Sequence, residues 1–212
     1  MSHNTWTHVI IRPLVRPLVG TAVTPNHLTA LRLATGIGSG LLLATARPVY
    51  SAIGALVFLV SYLLDRADGE LARQSGASTA WGHRFDLFAD YGSNILVFLG
   101  MGIGLRETAL GSGALVLGAV AGCAIVAIFW LVSRIEQIDG IGAAAFPTAG
   151  GFDPDDAMLV VPLAVWLDAE MAILVAAAVG APSFLLWTGV RFHRYLGHLL
   201  RPGTSSRASF NE

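Results

Sequence analysis

Charged residues are scarce in this chain. Asp, Glu, Lys and Arg make up 13% of its 212 residues, whereas 54% of the residues are hydrophobic. A soluble domain carries about 25% charged residues. Apolar stretches recur that are long enough to cross a bilayer, which takes about 20 helical residues. This composition argues against an ordinary soluble domain and indicates a membrane protein, and its length fits one domain.

Lysine is absent, and cysteine is nearly so. All thirteen basic residues are arginine, and the formal net charge is -1. A chain with this balance has no global basic field, so we expect no nucleic-acid partner. The single cysteine, Cys123, lies in an apolar run and cannot form an internal disulfide.

The apolar runs predict an all-α fold. We expect a bundle of six transmembrane helices preceded by an N-terminal interfacial helix. The predicted spans are residues 28–46, 48–72, 83–105, 111–135, 154–167 and 170–192.

The two ends of the chain differ from the apolar middle. Residues 6–19 mix apolar side chains with arginines and prolines, which is typical of a short helix lying on the membrane, with a disordered arm as the alternative. We therefore predict a cytoplasmic or interfacial segment at 1–23, one membrane domain at 24–195 and a cytoplasmic tail at 196–212.

The arginines are distributed unevenly along these spans. With six spans and a cytoplasmic N-terminus, eleven of the thirteen arginines fall on the cytoplasmic side, and only Arg47 and Arg106 fall on the other. This is the bias of the positive-inside rule. We predict a multi-pass protein of the cell (inner) membrane, in which the second helix ends and the third begins at the cytoplasmic face.

Four aspartates are concentrated where those two helices meet. Asp65 and Asp68 are three residues apart, and Asp86 and Asp90 are four apart, so each pair shares one helical face. Acidic residues in membrane helices are costly and normally face the bundle interior. Four neighbouring carboxylates repel one another unless cations compensate them, and oxygen ligands suit Mg²⁺ or Mn²⁺. The alternative is a pair of helix ends that point into water.

Small residues and one arginine lie among the aspartates. Gly69 and Gly82 permit close approach of a ligand or a backbone, and Ala72 keeps the same face open. Arg73 adds a cation that can hold a phosphate. The alternative for Arg73 is an ordinary surface charge.

The spacing of these residues forms a pattern. Residues 65–90 read Asp-x2-Asp-Gly-x2-Ala-Arg-x8-Gly-x3-Asp-x3-Asp. The pattern resembles the complete signature of the CDP-alcohol phosphotransferase (CDP-alcohol phosphatidyltransferase) family at all eight fixed positions. The run Pro25-Asn26-His27-Leu28-Thr29, with Arg32, is also similar to the start of that family's first helix.

The resemblance implies roles for the motif residues. It implies that Asp65, Asp68 and Asp86 bind two metal ions, Mg²⁺ or Mn²⁺, and that Asp90 is the general base and an additional ligand. It further implies a homodimer and a pocket for the CDP part of a donor. The residues of that pocket would be Asp68, Gly69, Ala72, Arg73 and Gly82.

Acceptor-binding residues are less well marked. Ser133 and Arg134 resemble the place where members with phosphorylated acceptors keep an arginine, although Arg134 also fits an arginine snorkelling to the interface. His83, next to the last motif glycine, is either a substrate contact or a loop histidine. His27 is expected to cap the first helix or to lie at the interface.

The predicted fifth span opens on an acidic stretch. Members that take phosphorylated acceptors tend to carry arginines here, whereas this chain has Asp153, Asp155 and Asp156. One interpretation is a pocket for a neutral or cationic acceptor. The other is that these residues cap a helix N-terminus, where the helix dipole favours negative charge.

Several functions fit these observations. The favoured one transfers a phosphatidyl group from CDP-diacylglycerol to a small polar alcohol and releases CMP. The alternative transfers a head-group phosphate from a soluble CDP-alcohol to a lipid or polar alcohol. A cation-coupled transporter belongs to a different class, but the acids lie at one end of two helices and do not form a path across. An inactive scaffold does not require four intact aspartates.

Overall fold

The computed structural model describes residues 6–139 and 154–193, and within these ranges the chain is helical without a strand. The all-α prediction is therefore confirmed. The α-helices of these two ranges are α1 (Trp6–Val15), α2 (Pro25–Leu43), α3 (Pro48–Ser75), α4 (Ala80–Gly104), α5 (Gly113–Asp139), α6 (Val160–Trp166) and α7 (Glu170–Arg191), with 3₁₀ turns at Arg16–Leu18, Leu105–Glu107 and Pro154–Leu159.

Four of these helices are long and apolar enough to cross a membrane. They are α3, α4 with the turn that follows it, α5 and α7, which correspond to the second, third, fourth and sixth predicted spans. The first predicted span is α2, whose 19 residues include several polar residues and glycines. The fifth is a short apolar stretch, Asp156–Trp166, that is less than the about 20 residues of a full crossing. The count of six spans stays a prediction.

The N-terminus of α2 is fixed by local hydrogen bonds. Thr24 Oγ1 accepts from the His27 backbone N–H at 3.4 Å, and His27 Nδ1 accepts from the Thr24 backbone N–H at 3.2 Å. Pro25 occupies the first helical turn, where its missing N–H costs nothing. The helix therefore begins three residues earlier than predicted, and the expected capping role of His27 is confirmed.

Glycines bring α2 and α4 into close contact. A Cβ atom on Gly40 would lie 2.5 Å from the carbonyl oxygen of Leu96, and one on Gly100 would lie 2.8 Å from the carbonyl carbon of Gly40. Such backbone contact requires residues without a side chain. Gly40 and Gly100 thus allow two helices of the same chain to pack directly against each other.

Helix α1 packs on the C-terminal end of α3. Ile11 and Val15 are buried in one cluster with Leu71 of α3, whereas Ile10 and Leu14 are exposed. A membrane-surface location for α1 stays a prediction. Because only residues 76–79 separate α3 from α4, the end of α3 and the start of α4 are close together.

Candidate metal and phosphate-binding site

The aspartates of α3 and α4 converge. One carboxylate oxygen from each of Asp65, Asp68 and Asp86 lies within 4.8 Å of the others. The Asp68 residue is buried, whereas the Asp65 and Asp86 side chains are 29% and 39% exposed. The cluster is therefore closed on the Asp68 side and accessible from the other side.

Arg32 of α2 completes this cluster. Its Nη1 lies 2.7 Å from Asp65 Oδ1 and 2.8 Å from Asp86 Oδ1, and its Nη2 lies 2.6 Å from Asp90 Oδ1. The Arg32 side chain is 4% exposed. Arg32 was not among the predicted site residues, although it belongs to the run at the start of the first predicted span. The sequence did contain a clue to this role, because Arg32 lies within the apolar run of a predicted membrane helix. A buried arginine in such a helix requires a nearby anion.

Two further polar residues hold the aspartates and were also missed. Thr29 Oγ1 of α2 donates to Asp68 Oδ2 at 2.8 Å. Asn94 Nδ2 donates to Asp90 Oδ1 at 2.9 Å, one helical turn further along α4. Thr29 lies three residues before Arg32, on the same face of α2, and that spacing was a readable signal.

The chemistry of this group of residues fits a divalent-cation site. In the described part of the chain, Arg32 is the arginine that pairs with this group of four carboxylates, so the two sets of side chains together carry a formal excess of negative charge. Such an excess is unfavourable where carboxylates are close together and partly shielded from water, unless cations balance it. Carboxylate oxygens from three residues within reach of one point are ligands that Mg²⁺ and Mn²⁺ accept.

Arg73 lies one helical turn beyond the cluster on α3 and is held in place by Glu70. Its Nη2 and Nε lie 2.7 and 3.3 Å from Glu70 Oε2. Glu70 also accepts from Gln74 Nε2 at 2.9 Å and pairs with Arg12 of α1 at 3.6 Å. Although charged, the Glu70 side chain is 6% exposed, so α1 and α3 together fix the carboxylate that positions Arg73.

The motif's small residues border the same region. A Cβ on Gly69 would meet Arg73 Nη1 at 3.6 Å, so this glycine keeps the space beside the guanidinium open. A Cβ on Gly82 would lie 3.0 Å from Thr79 Oγ1 and 3.1 Å from Asn26 Oδ1. Gly82 thus lets the start of α4 approach the start of α2. Ala72 is half-buried on α3.

Asp156 lies in a buried polar contact with α3. The Tyr62 hydroxyl donates a short hydrogen bond to Asp156 Oδ1, and Arg66 Nη2 lies 3.4 Å from the same oxygen. Asp156 therefore joins the turn before α6 to α3. Its role in acceptor binding stays a prediction. Asp153 and the side chain of Asp155 lie outside the described part of the chain.

The other acceptor candidates are on the surface or near it. The Arg134 guanidinium stacks 5.8 Å from the centre of the Trp130 ring, and Ser133 beside it is half-buried. His83 is exposed one helical turn before Asp86. Their roles in acceptor binding stay predictions.

Similar folds occur in solved structures of Mycobacterium tuberculosis phosphatidylinositol phosphate synthase (PgsA1). The structure with CDP-DAG bound is 20% identical, covers 95% of this chain and 99% of its own, and has a TM-score of 0.65. The complex with manganese and citrate is 20% identical, with coverages of 94% and 93% and a TM-score of 0.64. The apo form is 22% identical, with coverages of 84% and 95% and a TM-score of 0.55. These structural similarities show a shared fold.

Sequence comparison identifies the family. No curated protein sequence matches the chain significantly. The family model for CDP-alcohol phosphatidyltransferase matches residues 22–182, which includes all four aspartates and most of the described helices. The chain therefore belongs to the CDP-alcohol phosphatidyltransferase family and is a transferase of substituted phosphate groups.

Proposed function

We propose that this protein transfers a phosphatidyl group from CDP-diacylglycerol to a small polar alcohol and releases CMP. The observation that carries the proposal is the convergence of three aspartates and Arg32 beside the Glu70-held Arg73. This arrangement offers a cation site next to a fixed phosphate-binding guanidinium. A structural relative that has CDP-DAG bound supports the choice of donor.

The proposed metal ligands are Asp65, Asp68 and Asp86, with Asp90 as an additional ligand, and the cofactor is two Mg²⁺ or Mn²⁺ ions. The converging oxygens and the manganese complex of a structural relative support this assignment. When bound, the ions neutralise the donor diphosphate and stabilise the departing CMP. Thr29 supports the site by holding Asp68 through its hydroxyl.

Asp90 is the proposed general base. It removes the proton from the acceptor hydroxyl, whose oxygen then attacks the phosphorus that bears the diacylglycerol. A new P–O bond forms to the acceptor while the P–O bond to CMP breaks. Arg32 Nη2 and Asn94 Nδ2 both contact Asp90 Oδ1, so this carboxylate is held in a fixed orientation.

Asp68, Gly69, Ala72, Arg73 and Gly82 form the proposed CDP pocket. Arg73 would contact the donor phosphates, because a guanidinium held through two nitrogens by Glu70 is already oriented and loses less side-chain entropy on binding. Gly69 has no side chain beside this guanidinium, since a Cβ there would lie 3.6 Å from Arg73 Nη1.

The proposed setting is the inner membrane, with the site at the cytoplasmic face of a six-span homodimer. The arginine distribution supports the orientation. For the acceptor we retain Ser133, Arg134 and His83 as candidates, together with Asp153 and Asp155. The Asp156 carboxylate would attract a cationic acceptor less strongly than a free carboxylate, because Arg66 lies beside it.

A crossed donor and acceptor screen tests the function. Purified protein in detergent is supplied with either CDP-diacylglycerol or soluble CDP-alcohols, each with a panel of small alcohols and lipids, and both CMP and product mass are measured. We expect CMP and a phosphatidyl product only from CDP-diacylglycerol, and only with Mg²⁺ or Mn²⁺ present. Turnover from soluble CDP-alcohols alone would support the alternative donor instead.

Variants make this screen specific for the proposed base. Asp90→Asn should reduce turnover about 10²- to 10⁴-fold, which is the usual contribution of a general base. Arg106→Gln is the matched control, because Arg106 is exposed beside Glu107 at the other end of α4, and its turnover should be unchanged. Absence of CMP from every donor, with metal present and the protein folded, contradicts the enzymatic proposal.

A further inference from the structure

Arg32 is a buried cation at the centre of the aspartate cluster. Three ion pairs shorter than 3 Å join it to Asp65, Asp86 and Asp90. Its backbone is also fixed, because its carbonyl oxygen accepts from Ser61 Oγ of α3 at 2.9 Å. The guanidinium therefore lies among the aspartates because of the fold and not through a chance surface contact.

We propose that Arg32 is the internal counter-cation of the metal site and sets its metal affinity. In the metal-free protein it offsets part of the negative charge of Asp65 and Asp86, and on metal binding it would give up their oxygens to the ions. This inference rests on the proposed function, in which these aspartates bind divalent cations. It assigns to Arg32 a positioning role that is distinct from those of the ligands and the base.

The geometry makes Arg32 and a metal ion competitors. A single nitrogen, Nη1, contacts both Asp65 Oδ1 and Asp86 Oδ1, so it occupies the space between two proposed ligands. A divalent ion in that space meets a positive charge at short range, where the surroundings screen charge poorly. The two cations therefore exclude each other from the same oxygens.

The other guanidinium nitrogen allows a partial release. Nη2 pairs with Asp90 Oδ1, which also accepts from Asn94. Arg32 can thus withdraw Nη1 from Asp65 and Asp86 while Nη2 keeps its contact with Asp90. The proposed base would then stay oriented when the ions replace the guanidinium at the ligands.

The metal-free protein gains stability from the same contacts. Without Arg32, the four carboxylates would repel one another at the junction of α3 and α4, and buried charge without a partner is strongly destabilising. Removing Arg32 should therefore have opposite effects on the two states: the metal-free protein loses stability, and the site binds metal more tightly.

Direct Mn²⁺ binding tests this prediction without measuring activity. Metal-stripped wild type, Arg32→Gln and the control Arg106→Gln are titrated with Mn²⁺, and free Mn²⁺ is followed by electron paramagnetic resonance. We expect the Kd of Arg32→Gln to fall at least tenfold, which is about 1.4 kcal/mol. The Tm of its metal-free form should fall, and the rise in Tm on adding Mn²⁺ should exceed that of wild type. Arg106→Gln should match wild type.

Unchanged or weaker Mn²⁺ binding by folded Arg32→Gln would overturn the role of Arg32. Asp65→Asn separates this failure from failure of the metal site: if wild type binds no Mn²⁺, or Asp65→Asn binds it equally well, the proposed metal ligands are wrong and both proposals fall.

If Arg32→Gln does not fold, a structure of wild type with Mn²⁺ decides. Nη1 beyond about 4 Å from Asp65 and Asp86, the usual limit of an ion pair, supports displacement, and retained contacts overturn it.

Discussion

The contact between α2 and α4 gives the sharpest stability prediction, through Gly40→Ala. The new Cβ would lie 2.5 Å from the carbonyl oxygen of Leu96 and 2.9 Å from its carbonyl carbon. Backbone atoms cannot rotate away as a side chain can, so the helices must separate by about 0.9 Å to reach ordinary contact at 3.4 Å. Overpacking of this kind costs about 1–3 kcal/mol.

Helix propensity works in the opposite direction. Alanine is better than glycine in a helix by about 1 kcal/mol. We therefore expect a net loss of up to about 2 kcal/mol in Gly40→Ala, and a chain of this size loses roughly 2–4 °C of Tm per kcal/mol. Thermal unfolding in detergent measures the change.

The same helix provides a matched control. Gly38 lies two residues before Gly40, and a Cβ there would meet only Val57 Cγ1 at 4.0 Å. Gly38→Ala should thus be neutral or stabilising by up to about 1 kcal/mol. If Gly40→Ala is as stable as Gly38→Ala, the α2–α4 backbone contact does not exist as described.

Gly40→Ala should also lower turnover. Helix α2 carries Arg32, and α4 carries Asp86 and Asp90, so separation of the helices changes the geometry of the site. A misplacement near 1 Å can reduce a rate by about 10²-fold. We expect kcat to fall tenfold or more in the CMP-release assay, whereas Gly38→Ala should keep wild-type kcat.

Three further substitutions test individual contacts. Glu70→Gln weakens the ion pair that orients Arg73. KM for the CDP-linked donor should therefore rise about tenfold with little change in kcat. An unchanged KM would show that Glu70 does not position Arg73 for the donor. Tyr62→Phe removes the donor to a buried carboxylate, which should cost about 1–3 kcal/mol in thermal unfolding; loss below about 0.5 kcal/mol would contradict that contact. Thr29→Val removes the hydroxyl that holds Asp68, so Mn²⁺ affinity should fall about fivefold with an unchanged fold, and equal affinity would show that the hydroxyl is dispensable.

Local patterns in the sequence predicted much of this protein. Composition and apolar runs predicted the helical class, because a bilayer requires backbone hydrogen bonds to be satisfied within each segment. The spacing of the aspartates predicted that each pair shares a helical face, because helical periodicity is a local property. The predicted helix boundaries were less accurate. Helix α2 begins at Pro25, before the predicted start at residue 28, because the Thr24–His27 cap fixes its N-terminus. Apolar periodicity does not detect such a cap.

The sequence could not decide which distant residues meet. It could not show that Gly40 and Gly100 pack against a helix of the same chain, which the α2–α4 contact shows. It suggested an acceptor pocket or a helix cap for Asp156, but it could not show the contact with Tyr62 and Arg66 of α3, which depends on how the turn before α6 packs.

The sequence by itself determined the family, through a membrane-helix composition and four aspartates in one motif, and it named these aspartates as candidate metal ligands. Only the tertiary structure brought Arg32 and Thr29 of α2 to Asp65, Asp68 and Asp86. The physical reason is that charge compensation acts through space over a few ångströms, and more than 30 residues of chain separate Arg32 from the first of these acids.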